Sequence, residues 1–285
     1  MSGPVPQWVL NALAAGTVFT VMFSVGLGVA LAELGLVWRR PGLMLRGLFS
    51  VLVAVPALAL VIARLFDFPR FVEIGVILMA ISPGAPVALR RSLGAGGHRA
   101  FAPSLQICVA LLAVVSMPLS IAALNQLYAG RASITSWSVA KQVFVAQLLP
   151  FALGMAARRL QPSLAERLGP VLARAGNVLL VLLVVAILVD VWQVTMDAGV
   201  RVWPAIVLMT VAALAIGHLL GGPDPATRTA VAISSALRNP GLALLVATLN
   251  AAPPTITGVV LAYVLVSALL IVPYIAWRRR ATVVS

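Results

Sequence analysis

The sequence predicts an all-α membrane protein of nine transmembrane helices, on three observations. Of its 285 residues, 62% are hydrophobic and only 9% charged, and mean hydropathy is +1.09, whereas a soluble domain carries about a quarter charged residues. The 20 basic and 7 acidic residues cannot cover a globule of this length, so the exterior must largely face lipid. The basic residues stand in small groups between apolar runs long enough to cross a bilayer. A soluble enzyme and a secreted disulfide scaffold are thereby excluded. Cys108 can form no intrachain bridge, and no Cys/His set has metal-ligand spacing, so no metal or organic cofactor is expected. The net charge of +13 would suggest nucleic acid only if gathered into a patch interleaved with aromatics. Scattered as it is, it reads as topology, and the expected partner is the bilayer.

A helix needs about 20 apolar residues to cross roughly 30 Å of hydrocarbon. Cutting at charges, prolines and glycines gives spans at 8–37, 42–65, 71–89, 101–128, 137–157, 171–192, 202–221, 226–250 and 255–277. The first could be mistaken for a signal peptide, but residues 1–6 carry no basic segment and the run is long, so a mature helix is expected. The second to seventh are bounded by charged or Gly/Pro-containing connections, among them Arg39-Arg40-Pro41, Arg90-Arg91 and Arg158-Arg159. The charge-free stretch 239–277 is too long for one crossing, and Ala251-Ala252-Pro253-Pro254 supplies the turn that divides it. The chain reads as one transmembrane unit, with a first inverted repeat over 1–130 (spans one to four) and a second over 131–285 (spans five to nine).

The basic residues test this count. One side collects Arg39, Arg40, Arg46, Arg90, Arg91, Arg99, Arg158, Arg159, Arg167, Arg174, Arg228, Arg278, Arg279 and Arg280; the other has Arg64, Arg70, Arg131 and Arg201. The positive-inside rule then places the C-terminus in the cytoplasm and, with nine spans, the N-terminus outside, in a multi-pass inner (plasma) membrane protein. Trp8, Tyr128, Trp137, Trp192 and Trp203 fall at outer ends, and Trp38 and Trp277 at inner ends, as interfacial aromatics should. Lys141 lies about one turn into span five and can snorkel. The loop Gly94-Ala95-Gly96-Gly97-His98 reads as a turn, because no Lys-Ser/Thr follows its glycines.

Two spans are interrupted. Span three contains Ser82-Pro83-Gly84-Ala85-Pro86, and span eight contains Arg238-Asn239-Pro240-Gly241. At 1.5 Å per residue, Pro83 lies about 20 Å from Arg70 and Pro240 about 18 Å from Arg228, so both breaks sit near mid-membrane, in spans running in opposite directions. Such matched breaks mark the binding region of transporters built from inverted repeats. Pro83, Gly84, Ala85, Pro86, Asn239, Pro240 and Gly241 are therefore candidate substrate-binding positions. Arg238 joins them, since a charge at that depth costs at least roughly 2.5–3.5 kcal/mol and calls for a partner or a wet cavity. The seven acids lie near span ends or loops, so the alternatives for Arg238 are an anionic substrate group or carbonyls freed at the break. His218, near the inner end of span seven, could titrate or pack.

At the two breaks the sequence resembles the bile acid:sodium symporter family of secondary transporters. The matches are Ser82-Pro83-Gly84 and Arg238-Asn239-Pro240-Gly241-Leu242-Ala243, supported by Gly26-Leu27-Gly28, Arg40-Pro41 and Pro150…Gly154. The resemblance implies a panel and a core domain, with the two broken helices crossing in the core where ions and substrate bind. It also exposes departures. Where sodium-coupled members carry a glutamate and a glutamine before the asparagine, Ser234 and Arg238 stand here; the other ion site maps onto Ala88, Leu89, Ala102 and Gln106. Hard cations want oxygen ligands, preferably a carboxylate, and a fixed guanidinium repels a cation. The expectation is a transporter of a small or amphipathic organic anion, with Arg238 supplying the charge that sodium supplies elsewhere and Asn239 donating to the substrate. The alternatives are sodium coupling through Ser234, Ser235 and Gln106, proton coupling through His218, and, in another class, a passive channel or membrane sensor. An intramembrane enzyme would need a nucleophile–base pair, a metal set or paired midplane carboxylates, and none is present in the sequence.

Overall fold

The structure is a computed structural model that describes residues 6–29, 40–127, 136–197 and 201–283. The tail of the first expected span, with Glu33, Trp38 and Arg39, and the segment holding Tyr128 and Arg131 lie outside them, as do the side chains of Asp190, Trp192 and Asp197. Among the described residues there is no strand, and eight helices are long and apolar enough to cross a membrane. In chain order the helices are α1 (Gln7–Gly28), α2 (Pro41–Phe49), α3 (Val55–Leu65), α4 (Arg70–Ala80), α5 (Pro86–Gly94), α6 (Phe101–Leu127), α7 (Ser136–Val143), α8 (Leu149–Leu160), α9 (Pro162–Asp197), α10 (Val202–Leu220), α11 (Pro225–Ala236), α12 (Pro240–Leu249) and α13 (Pro254–Val283).

Single π-helical turns, Ser50–Ala54 and Phe144–Leu148, join α2 to α3 and α7 to α8. Each is followed at once by a proline in the next helix, Pro56 or Pro150. The expected third span is built from two short helices, α4 and α5, neither of which reaches crossing length alone. The eighth is broken between α11 and α12. Residues 162–170, expected as a connection, are helical and extend α9 to 36 residues, about 54 Å. Hydropathy senses only the lipid-crossing part of a helix, so this polar extension reads as loop in the sequence. The chain leaves α12 through Ala251, at φ +48, whose neighbour Ala252 donates to the Ala247 carbonyl, a left-handed helix stop.

Helix α1 lies along α8 and α9; α10 packs on α11 and α13; α4 packs on α13; and α12 is held between α1 and α13. The α1–α8 crossing is backbone against backbone: a Cβ on Gly26 would overlap the Phe151 carbonyl oxygen and stand 3.0 Å from the Gly154 Cα. Over its described side chains from 171 to 189, α9 exposes Val171, Val178, Val181, Leu182, Val185 and Val189, as expected for a lipid-facing helix, while Trp8, Trp137 and Trp277 are exposed at helix ends. Lys141 lies 5.5 Å from the Trp137 ring. The glycine loop after α5 is a turn in which His98 Nδ1 accepts from the backbone N–H groups of Ala100 and Phe101, capping α6.

Candidate functional site

Breaking a helix in an apolar interior orphans the last carbonyls of one half and the first N–H groups of the other. At the first break Pro83 and Pro86 lack N–H groups, and Gly84 takes φ +82, a conformation that strains other residues. Ser82 answers two of the orphaned carbonyls, its hydroxyl donating to Leu78 at 2.7 Å and its N–H to Met79 at 3.2 Å. At the second break the Tyr263 hydroxyl donates to the Ala236 carbonyl at 3.1 Å, and Asn239 Oδ1 accepts from the Leu242 N–H at 3.1 Å, capping α12. The breaks also answer each other: the Asn239 N–H donates to the Ser82 carbonyl at 2.9 Å. The two motifs the sequence placed at matched depths thus touch.

Arg238 joins them on a second side. Its side chain is buried, with the residue 2% exposed, and Nη2 donates to the carbonyls of Ala80 and, at 3.0 Å, of Val51. Both acceptors are left open by the local fold. Ala80 is the last residue of α4. In the π turn the Val55 N–H reaches back five residues to Ser50, and the next donor in that pattern, for Val51, would be residue 56, a proline. The guanidinium therefore occupies carbonyl oxygens that secondary structure leaves open. Arg238 Nε and Nη1 have no partner among the described residues, and no carboxylate there lies within salt-bridge reach. Beside it, Ser235 Oγ lies 2.8 Å from Ser50 Oγ.

A small cavity of about 30 Å³ lies at the other face of the crossing, lined by Thr17, Val18, Val21 and Met22 of α1, Ala85, Pro86 and Val87 at the first break, Asn177 and Leu180 of α9, and Asn239, Pro240 and Gly241 at the second. A second cavity, of about 320 Å³ between α1, α9 and α5, shares Val21, Pro86 and Asn177 with it and has Ser24, Gly28 and Arg90 on its walls. A third shares Ser24, Gly28 and Ala173 with the second and is bounded by Arg158 and Glu166 at the arginine-rich end. Asn239 Nδ2 and Thr17 Oγ1 are buried without partners among the described residues.

Of the expected substrate residues, Ala85, Pro86, Asn239, Pro240 and Gly241 line the first cavity, whereas Pro83 and Gly84 shape the turn behind it. Arg238 is not on the lining; its guanidinium turns to Val51 and Ala80. Ser234, Ser235 and Gln106 are buried in α11 and α6. His218 stands elsewhere, its Nδ1 2.9 Å from the Tyr274 hydroxyl and its ring 5.5 Å from that of Trp277. Thr17 was not singled out in the sequence. The available signal was its spacing: Thr17, Val21, Ser24 and Gly28, at i, i+4, i+7 and i+11, form one stripe of α1 that lines the first and second cavities.

A model of the sodium bile acid symporter family matches residues 16–197, a stretch that includes the first break. Among curated proteins the chain is similar to two from Oryza sativa subsp. japonica. One is the probable sodium/metabolite cotransporter BASS2, chloroplastic, at 26% identity over 211 residues, 70% of this chain and 49% of that protein. The other is the probable sodium/metabolite cotransporter BASS3, chloroplastic, at 22% identity over 250 residues, 85% of this chain and 58% of that protein. The chain spans about half the length of these relatives.

Proposed function

The chain belongs to the sodium bile acid symporter family, and on that premise we propose that it is a secondary transporter carrying a small or amphipathic organic anion by alternating access, with Arg238 in the place of coupling sodium. In this reading α4 and α5 together make the third of nine crossings. The halves 1–130 and 131–285 are inverted repeats, and a panel containing α1, α8 and α9 moves against a core containing the two breaks. The arginine-rich end faces the cytoplasm across a plasma membrane, so the third cavity opens inward.

The observation that carries the reading is the guanidinium at the crossing. A bound sodium ion would be held by backbone and side-chain oxygens; here a fixed cation takes the Val51 and Ala80 carbonyls. A tethered charge still neutralises the carbonyl dipoles and fixes the two breaks, but it cannot be released with substrate. It therefore couples no ion gradient to transport, and net movement follows the anion's own electrochemical gradient. The anion meets Asn239 and the starts of α5 and α12, where helix N-termini favour negative charge.

The names of the two rice relatives, both probable sodium/metabolite cotransporters, favour a second reading, sodium coupling, which in this chain would run through Ser234, Ser235 and Gln106. Counterflow of labelled taurocholate and 4-methyl-2-oxopentanoate in proteoliposomes tests the first reading. Saturable counterflow that Arg238→Ala abolishes is the expected result. Full activity in the alanine variant overturns Arg238's role, and flux that never saturates indicates a channel.

A further inference from the structure

The two broken helices hold their C-terminal halves unequally. Every residue of α12 from Pro240 to Thr248 is buried, whereas α5, its counterpart after the first break, buries only Ala88 and Ser92. Helix α12 is enclosed between α1 and α13, while α5 faces α1 and α9 across the second cavity. In an inverted repeat the two halves exchange surroundings when access alternates, so α12 must part from the panel before the end opposite the arginines can open.

At that end amide side chains reach across the seam. Gln142 of α7 accepts through Oε1 from Nδ2 of Asn250, which ends α12, at 3.0 Å, and Gln7 of α1 donates through Nε2 to the Thr248 carbonyl at 3.2 Å. The sense of the first bond is fixed, because the same Asn250 Nδ2 also donates to the Val246 carbonyl at 2.7 Å, which only an N–H group can do. Helix α7 runs on into α8 through the π turn, so it moves with the panel. Both bonds therefore join the bodies that must separate. Gln142 and Asn250 are half-buried and Gln7 is exposed, so water can take over the released amides, and each bond favours the closed seam by a factor of only about two to ten. The face of α1 against α12 is the stripe Gln7, Leu10, Ala14 and Val18, at i, i+3, i+7 and i+11. Gln7 meets Thr248 at one end of it, and at the other Val18 Cγ2 stands 3.3 Å from where a Cβ on Gly241 would lie. Leu10 and Ala14, between them, are buried.

Resting on the transporter reading above, we propose that the Gln142–Asn250 and Gln7–Thr248 bonds form a latch that holds the panel against α12, and that their strength sets how often the end opposite the arginines opens. The test is the rate at which N-ethylmaleimide labels a single thiol in the purified full chain in detergent, with Cys108→Ala removing the native cysteine. Leu10→Cys places the thiol inside the latched seam, and Ser24→Cys places it on the wall of the second cavity. Gln142→Leu should raise the Leu10→Cys labelling rate about two- to tenfold and leave the Ser24→Cys rate no higher, and adding Gln7→Leu should raise the first rate further. Gln142→Glu, whose carboxylate still accepts from Asn250, should label as the parent does. Should Gln142→Leu fail to fold, Gln142→Ala takes its place against the glutamate variant. Equal acceleration at both thiols is general loosening and overturns the latch, as does an unchanged Leu10→Cys rate in the double variant. If that rate is unchanged while labelled taurocholate or 4-methyl-2-oxopentanoate shows saturable counterflow in liposomes, the latch fails and the transporter reading stands. If it rises as expected and neither anion is carried, the latch stands and the anion reading fails.

Discussion

Two glycines on one helix should respond to the same substitution with opposite signs. Gly26 and Gly16 both lie in α1. A methyl group on Gly26 would overlap the Phe151 carbonyl oxygen and approach Gly154 Cα to 3.0 Å and Met155 N to 3.1 Å, all backbone atoms. Carbon atoms pack at about 3.5–4.0 Å, so α1 and α8 must part by roughly half an ångström or more. Overpacking of this kind costs about 1–3 kcal/mol. At Gly16 an added methyl meets nothing within 4 Å, and replacing a mid-helix glycine by alanine gains about 0.5–1 kcal/mol. At about 2–4 °C per kcal/mol, Gly26→Ala should lower the melting temperature of the purified protein by roughly 2–12 °C, and Gly16→Ala should raise it by up to about 4 °C. Because α1 carries the Thr17–Ser24 stripe, Gly26→Ala should also slow anion flux. Shifts of the same sign and size in the two variants would refute the close α1–α8 crossing.

Arg278, buried near the end of α13, donates to Thr229 Oγ1 at 2.8 Å and to the Pro225 carbonyl at 3.0 Å, tying α13 to the start of α11. Arg278→Met should lower stability by about 1.5–3 kcal/mol, read as a fall in melting temperature; an unchanged value contradicts that tie. His218 faces Tyr274 and Trp277 rather than the cavity, so His218→Gln should leave the ratio of liposome flux at pH 6 and pH 8 unchanged. Loss of a wild-type pH dependence in that variant would favour proton coupling instead.

The breaks were legible because prolines and glycines at matched depths have few uses in an apolar helix other than interruption. Arg238 stood out because the chain offers few charges and most of the others lie toward span ends. Carbonyls freed at a break were one of the two partners the sequence offered its guanidinium, and Ala80 is such a carbonyl; Val51 was not legible. Its acceptor at Val51 depends on a π turn, and the only trace of that turn in the sequence is Pro56, which reads as one of several prolines tolerated for packing. Thr17 was hidden for a related reason: a lone threonine in an apolar helix ordinarily bonds to its own backbone, and only coordinates reveal that this one does not. The length of α9 escaped because residues 162–170 are helical without being apolar.

The central claim is that a fixed guanidinium replaces the coupling cation, and replacing sodium by choline on both sides of proteoliposomes tests it most directly. The claim predicts that anion counterflow persists in choline at a rate close to that in sodium, and that Arg238→Ala abolishes it in both. Counterflow that vanishes in choline and returns with sodium would contradict it, and would shift the account to sodium coupling through Ser234, Ser235 and Gln106.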